Sequence, residues 1–139
     1  MSQVVRFGVS LEAKLLKKFD GLIKKIGYAN RSEAIRNLIR NRLVEEEGKS
    51  EDREAVGILG LVYDHHRREL QETLTKTQHE HLSNIISSIH VHLDEDNCLE
   101  VIVLRGKTGL IRKTAEALLA TRNVKHGKLI LTTTGADLP

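Results

Sequence analysis

Polar and apolar positions along this chain switch repeatedly between strand and helix periods. In QVVRFGVSL, residues 3–11, Val5, Phe7, Val9 and Leu11 alternate with Arg6, Gly8 and Ser10, which predicts a half-buried strand of about eight residues. From about Glu12 the spacing becomes helical, with Leu15, Phe19, Leu22, Ile23 and Ile26 on one side and Gly27 placed as a C-cap. Asn30 opens NRSE, an N-cap residue followed three positions later by Glu, and starts a second helix through Ala34, Ile35, Leu38, Ile39 and Leu43 to about Val44. EEEGKSEDRE, residues 45–54, has no apolar side chain and reads as a linker. Beyond it come a strand (AVGILGLVYD) and a helical stretch (HHRRELQETLTKTQHEHL) carrying Leu70, Leu74 and Leu82. A hairpin follows (IISSIHVHL and CLEVIVLRG), then a helix (TGLIRKTAEALLATR) with Leu110, Ile111, Ala115, Leu118 and Leu119 inward, and a closing strand (HGKLILTTT).

The predicted class is α+β: a βαα unit over residues 1–47, a linker at 48–54, and a βαββαβ sheet domain at 55–135 of the ferredoxin-like or ACT type. A lone strand cannot satisfy its backbone donors and acceptors, so the βαα unit is expected to dimerise, with two strands paired as an antiparallel ribbon. In that arrangement it resembles the ribbon-helix-helix DNA-binding domains, and Arg6, Gly8 and Ser10 lie on the outward ribbon face. Arg6 suits a guanine edge, and Ser10 suits either base type or a phosphate. Arg31 and Ser32, at the start of the second helix, suit phosphates. Gly8 departs from the hydrogen-bonding side chain that ribbon readers usually carry there.

Charge divides along the same boundary. Residues 1–47 hold 10 Lys/Arg against 6 Asp/Glu, and residues 48–139 hold 12 against 13, together with all seven histidines. A basic first part and a neutral second part imply two tasks, the first involving a polyanion. A single cysteine excludes an intramolecular disulfide. No apolar run approaches membrane-spanning length, and no hydrophobic leader is visible, so a cytoplasmic protein without a membrane partner is expected. Aromatic residues are only 3% of the chain, which leaves the core to Leu, Ile and Val.

The chemistry concentrates in TQHEHLSNIISSIHVHLDEDNC, residues 77–98. His90 and His92 leave one strand on the same face, and a hairpin through the acidic turn pairs His92 with Cys98 and His90 with Glu100. Two imidazoles and a thiol form a borderline-soft donor set suited to nickel, copper or zinc, and sequence does not fix the geometry that selects among them. Glu100 is the natural acceptor for a ligand N–H. His65, His66 and His126 gain no role from this pattern, and His81 lies on another side of its helix from His79.

NRSEAIR at 30–36, TQHEH, HVH, CLE and VKHG at 124–127, in this order and spacing, resemble the nickel-responsive NikR repressors over nearly the whole chain. The resemblance implies a Ni(2+) site made by His90, His92 and Cys98 of one subunit with His79 of a neighbour. It further implies a homotetramer (a dimer of dimers) that binds double-stranded operator DNA and regulates nickel uptake genes. Gln78 and Tyr63 become supporting residues only through this resemblance. So does a second cation site using Glu33, where Asn37 stands in place of a carboxylate one turn later. Two other classes remain as alternatives: a metal-dependent enzyme with an open coordination position, and a repressor sensing an amino acid through an ACT-type interface. No nucleophile or acid/base pair stands out for the former, so neither an enzyme nor a small-molecule substrate is expected.

Overall fold

The computed structural model describes residues 3–81 and 83–139. It contains two compact units, residues 1–41 and 42–139, with the division falling inside the second helix. The expected position of Leu82 lies outside the described residues.

In the first unit, α1 spans Ala13–Ile26 and α2 spans Arg31–Glu47. Gly27 ends α1 in the left-handed region at φ 99°, where a residue without Cβ is unstrained, and its N–H returns to the Ile23 carbonyl at 3.0 Å. Asn30 caps α2, its Oδ1 accepting the Glu33 N–H at 2.9 Å. The expected strand is not formed within one chain: among the described residues, 3–11 pair with no other segment. Phe7 is 70% exposed and Val5 75%. A strand requires a second backbone, and this chain supplies none to residues 3–11. Only Ile23 and Ala34 are buried in α1 and α2, while Leu15, Leu22, Ile26, Leu38, Ile39 and Leu43 remain exposed.

The second unit holds β1 (Glu54–Asp64), α3 (Arg68–Glu80), β2 (Ile85–His92), β3 (Asn97–Lys107), α4 (Thr108–Leu119) and β4 (Val124–Thr132). The sheet order is β2-β3-β1-β4, and every neighbouring pair is antiparallel. This is the expected βαββαβ arrangement. One face is closed by the helices: Leu59, Leu61 and Tyr63 of β1 and Cys98, Ile102 and Leu104 of β3 pack with Leu70, Leu74, Ile111, Ala115 and Leu118. Alternate residues, among them Ile58, Ile89, Val91 and Ile130, point to the other face and are exposed.

Several details differ from expectation. The third helix starts at Arg68 rather than His65, because the Asp64 carboxylate accepts the His66 N–H at 2.9 Å while the His65 N–H bonds the Asp96 carbonyl at 2.9 Å. Leu110 is exposed rather than inward. Residues 45–47, read as linker, are the last turn of α2, where Arg42 bridges both Glu45 and Glu46 at helical spacing. The rest of the linker is bonded to the start of α4: Thr108 N–H donates to Arg53 O at 2.9 Å and Gly109 N–H to Glu51 O at 3.0 Å. No helix among the described residues is long and apolar enough to cross a membrane.

The turn between β2 and β3 is built on Asp94. Its carboxylate accepts from Asn97 Nδ2 and from the backbone N–H groups of Asn97 (2.7 Å) and Asp96 (2.9 Å), and the Asn97 side chain first, then these backbone bonds, hold it below the usual carboxylate range. A lowered carboxyl stabilises the fold above its ordinary pKa, and that contribution disappears as pH falls through the lowered value.

Gly127, in the VKHG segment, lies opposite Leu61 in the β1/β4 ladder. A Cβ there would stand 2.3 Å from Leu119 Cδ2, 2.8 Å from Leu61 Cδ2 and 3.0 Å from the Gly60 carbonyl oxygen. Gly127→Ala is therefore expected to lower stability by about 1–3 kcal/mol through overpacking. A urea midpoint equal to that of the unsubstituted protein would contradict this packing.

Candidate functional site

The donor residues are set by β3. Cys98, Glu100, Ile102 and Leu104 alternate onto the helix-covered face, so a thiol and a carboxylate occupy two positions that an apolar core would otherwise fill. Strand β2 pairs with β3 in the expected register, His92 opposite Cys98 and His90 opposite Glu100. At this edge the imidazoles are exposed and the thiol is buried. His92 Nδ1 lies 3.5 Å from Cys98 Sγ. Burial, followed by the charges of Glu100 and Asp94, pushes the thiol pKa up, so a bound cation must displace its proton.

His90 is held differently. Its Nε2 is 3.1 Å from the Tyr63 hydroxyl, and that hydroxyl donates to Glu100 Oε2 at 3.4 Å. Burial first, and then the Glu100 charge, keep Tyr63 protonated. With its proton directed to the carboxylate, the hydroxyl oxygen accepts from the imidazole. Tyr63 thus stands between His90 and Glu100, where the sequence suggested a direct bond. Glu100 Oε1 also accepts from Gln78 Nε2 and Ser88 Oγ, each at 2.8 Å. These bonds satisfy a carboxylate that would be costly to bury alone. Gln78 thereby ties the end of α3 to β3.

His79 follows Gln78 but points elsewhere, lining an open groove with Arg68, Gln71, Glu72, Thr75 and Lys76. Within one chain it does not join His92 and Cys98. Among the described residues, the group able to hold a metal is instead His65, His92 and Cys98, whose ligand atoms all lie within 4.8 Å of one another. Metal–ligand bonds of about 2.0–2.3 Å place ligands on opposite sides of an ion at most about 4.6 Å apart, so these nitrogen and sulfur atoms lie near the separation at which they could share one borderline-soft divalent ion. His65 was missed in the sequence because HHRREL reads as the start of a helix. The register signal that could have found it is Tyr63 opposite Cys98, which carries the next turn of chain over the end of β3. His81 caps the end of its helix instead, its Nδ1 2.8 Å from the Thr77 carbonyl.

In the first unit, Arg6, Gly8 and Ser10 are exposed, and an added Cβ at Gly8 meets nothing within 4 Å. Arg31 and Ser32 are the first residues of α2, where helical N–H groups lack intrahelical partners. The Arg31 guanidinium is already engaged: Nε and Nη2 donate to Asp20 Oδ1 and Oδ2, both at 2.8 Å, and the bond holds Asp20 below its usual pKa. Glu33 is paired with Arg36. The sequence reading identified neither partner.

Comparison with known proteins matches this architecture. Residues 5–46 match the model of the ribbon-helix-helix protein, copG family, and residues 56–132 match that of the NikR C terminal nickel binding domain. A protein of Geobacter sulfurreducens is 55% identical over 99% of both chains. One of Caldanaerobacter subterraneus subsp. tengcongensis is 56% identical over 97% of this chain and 88% of its own, and one of Pyrococcus furiosus is 52% identical over 97% and 98%. All three are named as nickel-responsive regulators. In fold alone, an uncharacterized protein from Thermotoga maritima aligns with a TM-score of 0.51 at 16% identity, covering 57% of this chain and 98% of its own. Matched by these two models along most of its length, and by near-full-length relatives at more than half identity, the chain belongs to the NikR family, with a ribbon-helix-helix domain preceding a nickel-binding domain.

Proposed function

We propose that this protein is a cytoplasmic, nickel-responsive transcriptional repressor that binds operator DNA as a homotetramer, a dimer of dimers, and controls nickel uptake genes. The observation that carries the reading is the buried Cys98 thiol held 3.5 Å from His92 Nδ1, in a chain whose first unit carries two helices with exposed apolar residues. In domain terms, residues 1–47 bind DNA, 48–54 connect, and 55–135 bind metal and assemble the tetramer.

The nickel ligands are His90, His92 and Cys98 of one subunit and His79 of a neighbour. Nickel supplies one centre that four donors must face at once. The outward direction of His79 supports its use by another chain, while Gln78 beside it stays bonded to Glu100 of its own. The end of α3 then belongs to two sites, which links occupancy to assembly. Tyr63 and Glu100 orient His90. Glu33 remains a candidate for a further cation site, in competition with Arg36. Paired strands 3–11 of two chains would cover the exposed Val5, Phe7, Val9 and Leu11 and present Arg6, Gly8 and Ser10 to the major groove, with Arg31 and Ser32 on phosphates.

Linkage tests the reading directly. If nickel strengthens binding to a duplex selected by the protein from a random-sequence pool, that duplex must strengthen nickel binding by the same factor, with coupling of about 1–3 kcal/mol. Nickel titrations with and without the duplex, at fixed salt and pH, measure it. Equal nickel affinity in both would make the metal structural and sink the repressor.

The subunit origin of His79 has its own test. A mixture of His79→Ala and Cys98→Ala chains should regain part of the nickel sites on subunit exchange, because some sites then combine His79 of one chain with Cys98 of the other. Recovery of no sites, with exchange verified by mass labelling, would place all four ligands in one chain.

On the DNA side, Arg6→Ala should cost about 1–3 kcal/mol on the selected duplex and relax its sequence preference. Arg31→Ala should weaken selected and unrelated duplexes alike and reduce the salt slope by about 1. Asp20→Asn should do the opposite, strengthening binding to unrelated duplexes by releasing the Arg31 guanidinium for phosphate. Fluorescence anisotropy across a salt series reads all three. Unchanged affinity in Asp20→Asn would mean that Arg31 does not reach the backbone.

A further inference from the structure

The solvent face of α1 is more basic than solubility requires. At about 100° per residue, Lys14, Lys17, Lys18, Lys24 and Lys25 fall within an arc of about 120° with Gly21 at its centre, opposite Leu15, Phe19, Leu22, Ile23 and Ile26. All five lysines are exposed, and among the described residues none has a hydrogen-bond or ion-pair partner. Arg31 and Arg36 of the same unit are instead held by Asp20 and Glu33. No carboxylate lies in the arc, and Asp20, just outside it, gives both oxygens to Arg31 at 2.8 Å.

Local helix energetics do not account for this arrangement. Lys14 lies in the first turn, where the macrodipole favours acids and α1 has none, and it repels Lys17 and Lys18 one turn on. Only Lys24 and Lys25, in the last turn, are favoured by the dipole. Gly21 weakens the middle of the helix, yet a Cβ there would meet nothing within 4 Å, so crowding does not call for it. Its missing side chain leaves a bare strip of helix between two groups of lysines. These unfavourable choices share one face, and a polyanion resting on that face would offset them.

We propose that this face of α1 is a second DNA-binding surface, which grips the phosphate backbone of duplex DNA without reading its sequence. The inference rests on the ribbon reading above for the presence of DNA and goes beyond it, because neither the ribbon residues nor Arg31 and Ser32 belong to this face. The lysines extend over about 17 Å of helix axis, and duplex DNA carries one charge per about 1.7 Å, so several phosphates can lie along the face at once. Lysine suits that task, since its ammonium is a point charge on a flexible stem that follows a backbone without fixing register. An anionic membrane is the competing polyanion. A helix lying in a membrane interface buries its apolar face there, but this apolar face carries Ile23, already buried within the unit, and the bond from Arg31 to Asp20 ties α1 to α2. DNA needs only the lysine tips and leaves that packing intact. No proposed metal ligand lies on this helix, so the grip acts with or without nickel and leaves the choice of sequence to the ribbon.

The test uses the full-length protein and long duplex DNA of unrelated sequence, with fluorescence anisotropy read across a salt series. Lys14→Gln/Lys18→Gln/Lys25→Gln preserves the helix, because Gln and Lys have similar helix propensity. Each phosphate contact contributes about 0.9 to the salt slope, so this triple variant should lower the slope by about 2 and the affinity at about 0.1 M salt at least tenfold. Nickel should leave that factor unchanged. Lys107→Gln/Lys113→Gln/Arg122→Gln removes as much charge from exposed positions of the second unit and should leave the slope nearly as it was. Gly21→Glu keeps every lysine and improves the helix, so it should raise the thermal midpoint yet weaken DNA binding severalfold, whereas Gly21→Ala raises the midpoint alone. Equal slope changes in the two triple variants, equal DNA affinity in Gly21→Glu and Gly21→Ala, or release of the DNA to vesicles of equal parts phosphatidylglycerol and phosphatidylcholine would each overturn the proposal. DNA affinity indifferent to nickel on the selected duplex would instead remove the repressor reading, and the slope comparison would still decide this one.

Discussion

The register between β2 and β3 is the constraint on which the rest of the site depends. Side chains in a strand alternate with period two, so a slip of one residue would move His90 and His92 to the uncovered face and oppose Cys98 with Val91 or Leu93. Two features hold the register. At one end the Asp94 carboxylate gathers the turn's N–H groups, and along the strand Ile102 and Leu104 can be buried only in one of the two phases. Core packing and ligand geometry are thus the same requirement, and the donor set inherits its position from apolar residues that never touch a metal.

Both units leave apolar surface uncovered, and in each case the uncovered positions repeat regularly. In the first unit they are the alternating residues before α1 and the helical positions Leu38 and Ile39; in the second they are the sheet positions Ile58, Ile89, Val91 and Ile130. Isolated exposed apolar residues are ordinary, but contiguous periodic ones mark surfaces meant for contact. These two surfaces lie in separate parts of the chain, and the assembly proposed above would cover them by two different contacts. A dimer of dimers has that property.

Much of this was legible in the sequence because it depends on local periodicity. The alternation in CLEVIVL, the helical stripes and the Gly27 and Asn30 caps each leave a pattern within a few residues, and the fold follows from their order. Features set by long-range hydrogen bonds left no such pattern. His65 and His66 have the composition of a helix start, but bonds to Asp64 and to the distant Asp96 hold them in a turn. Asp20 meets Arg31 across two helices, and Ser88 reaches Glu100 across two strands. The stretch at 45–54 was read as linker for want of apolar residues, although Arg42 pairs with Glu45 and Glu46 to carry the helix to Glu47. At residues 3–11 the alternation was legible, but no segment among the described residues forms a ladder with it.

The burial of Cys98 has a consequence for how the metal-free protein survives. Thiolates, not thiols, react with peroxides and electrophiles, and the surroundings that raise this thiol's pKa also cover its sulfur completely. As the chain's only cysteine it has no intramolecular partner for a disulfide. An oxidised sulfur could no longer serve as the proposed donor, so the same apolar packing that positions Cys98 also shields it in the metal-free protein.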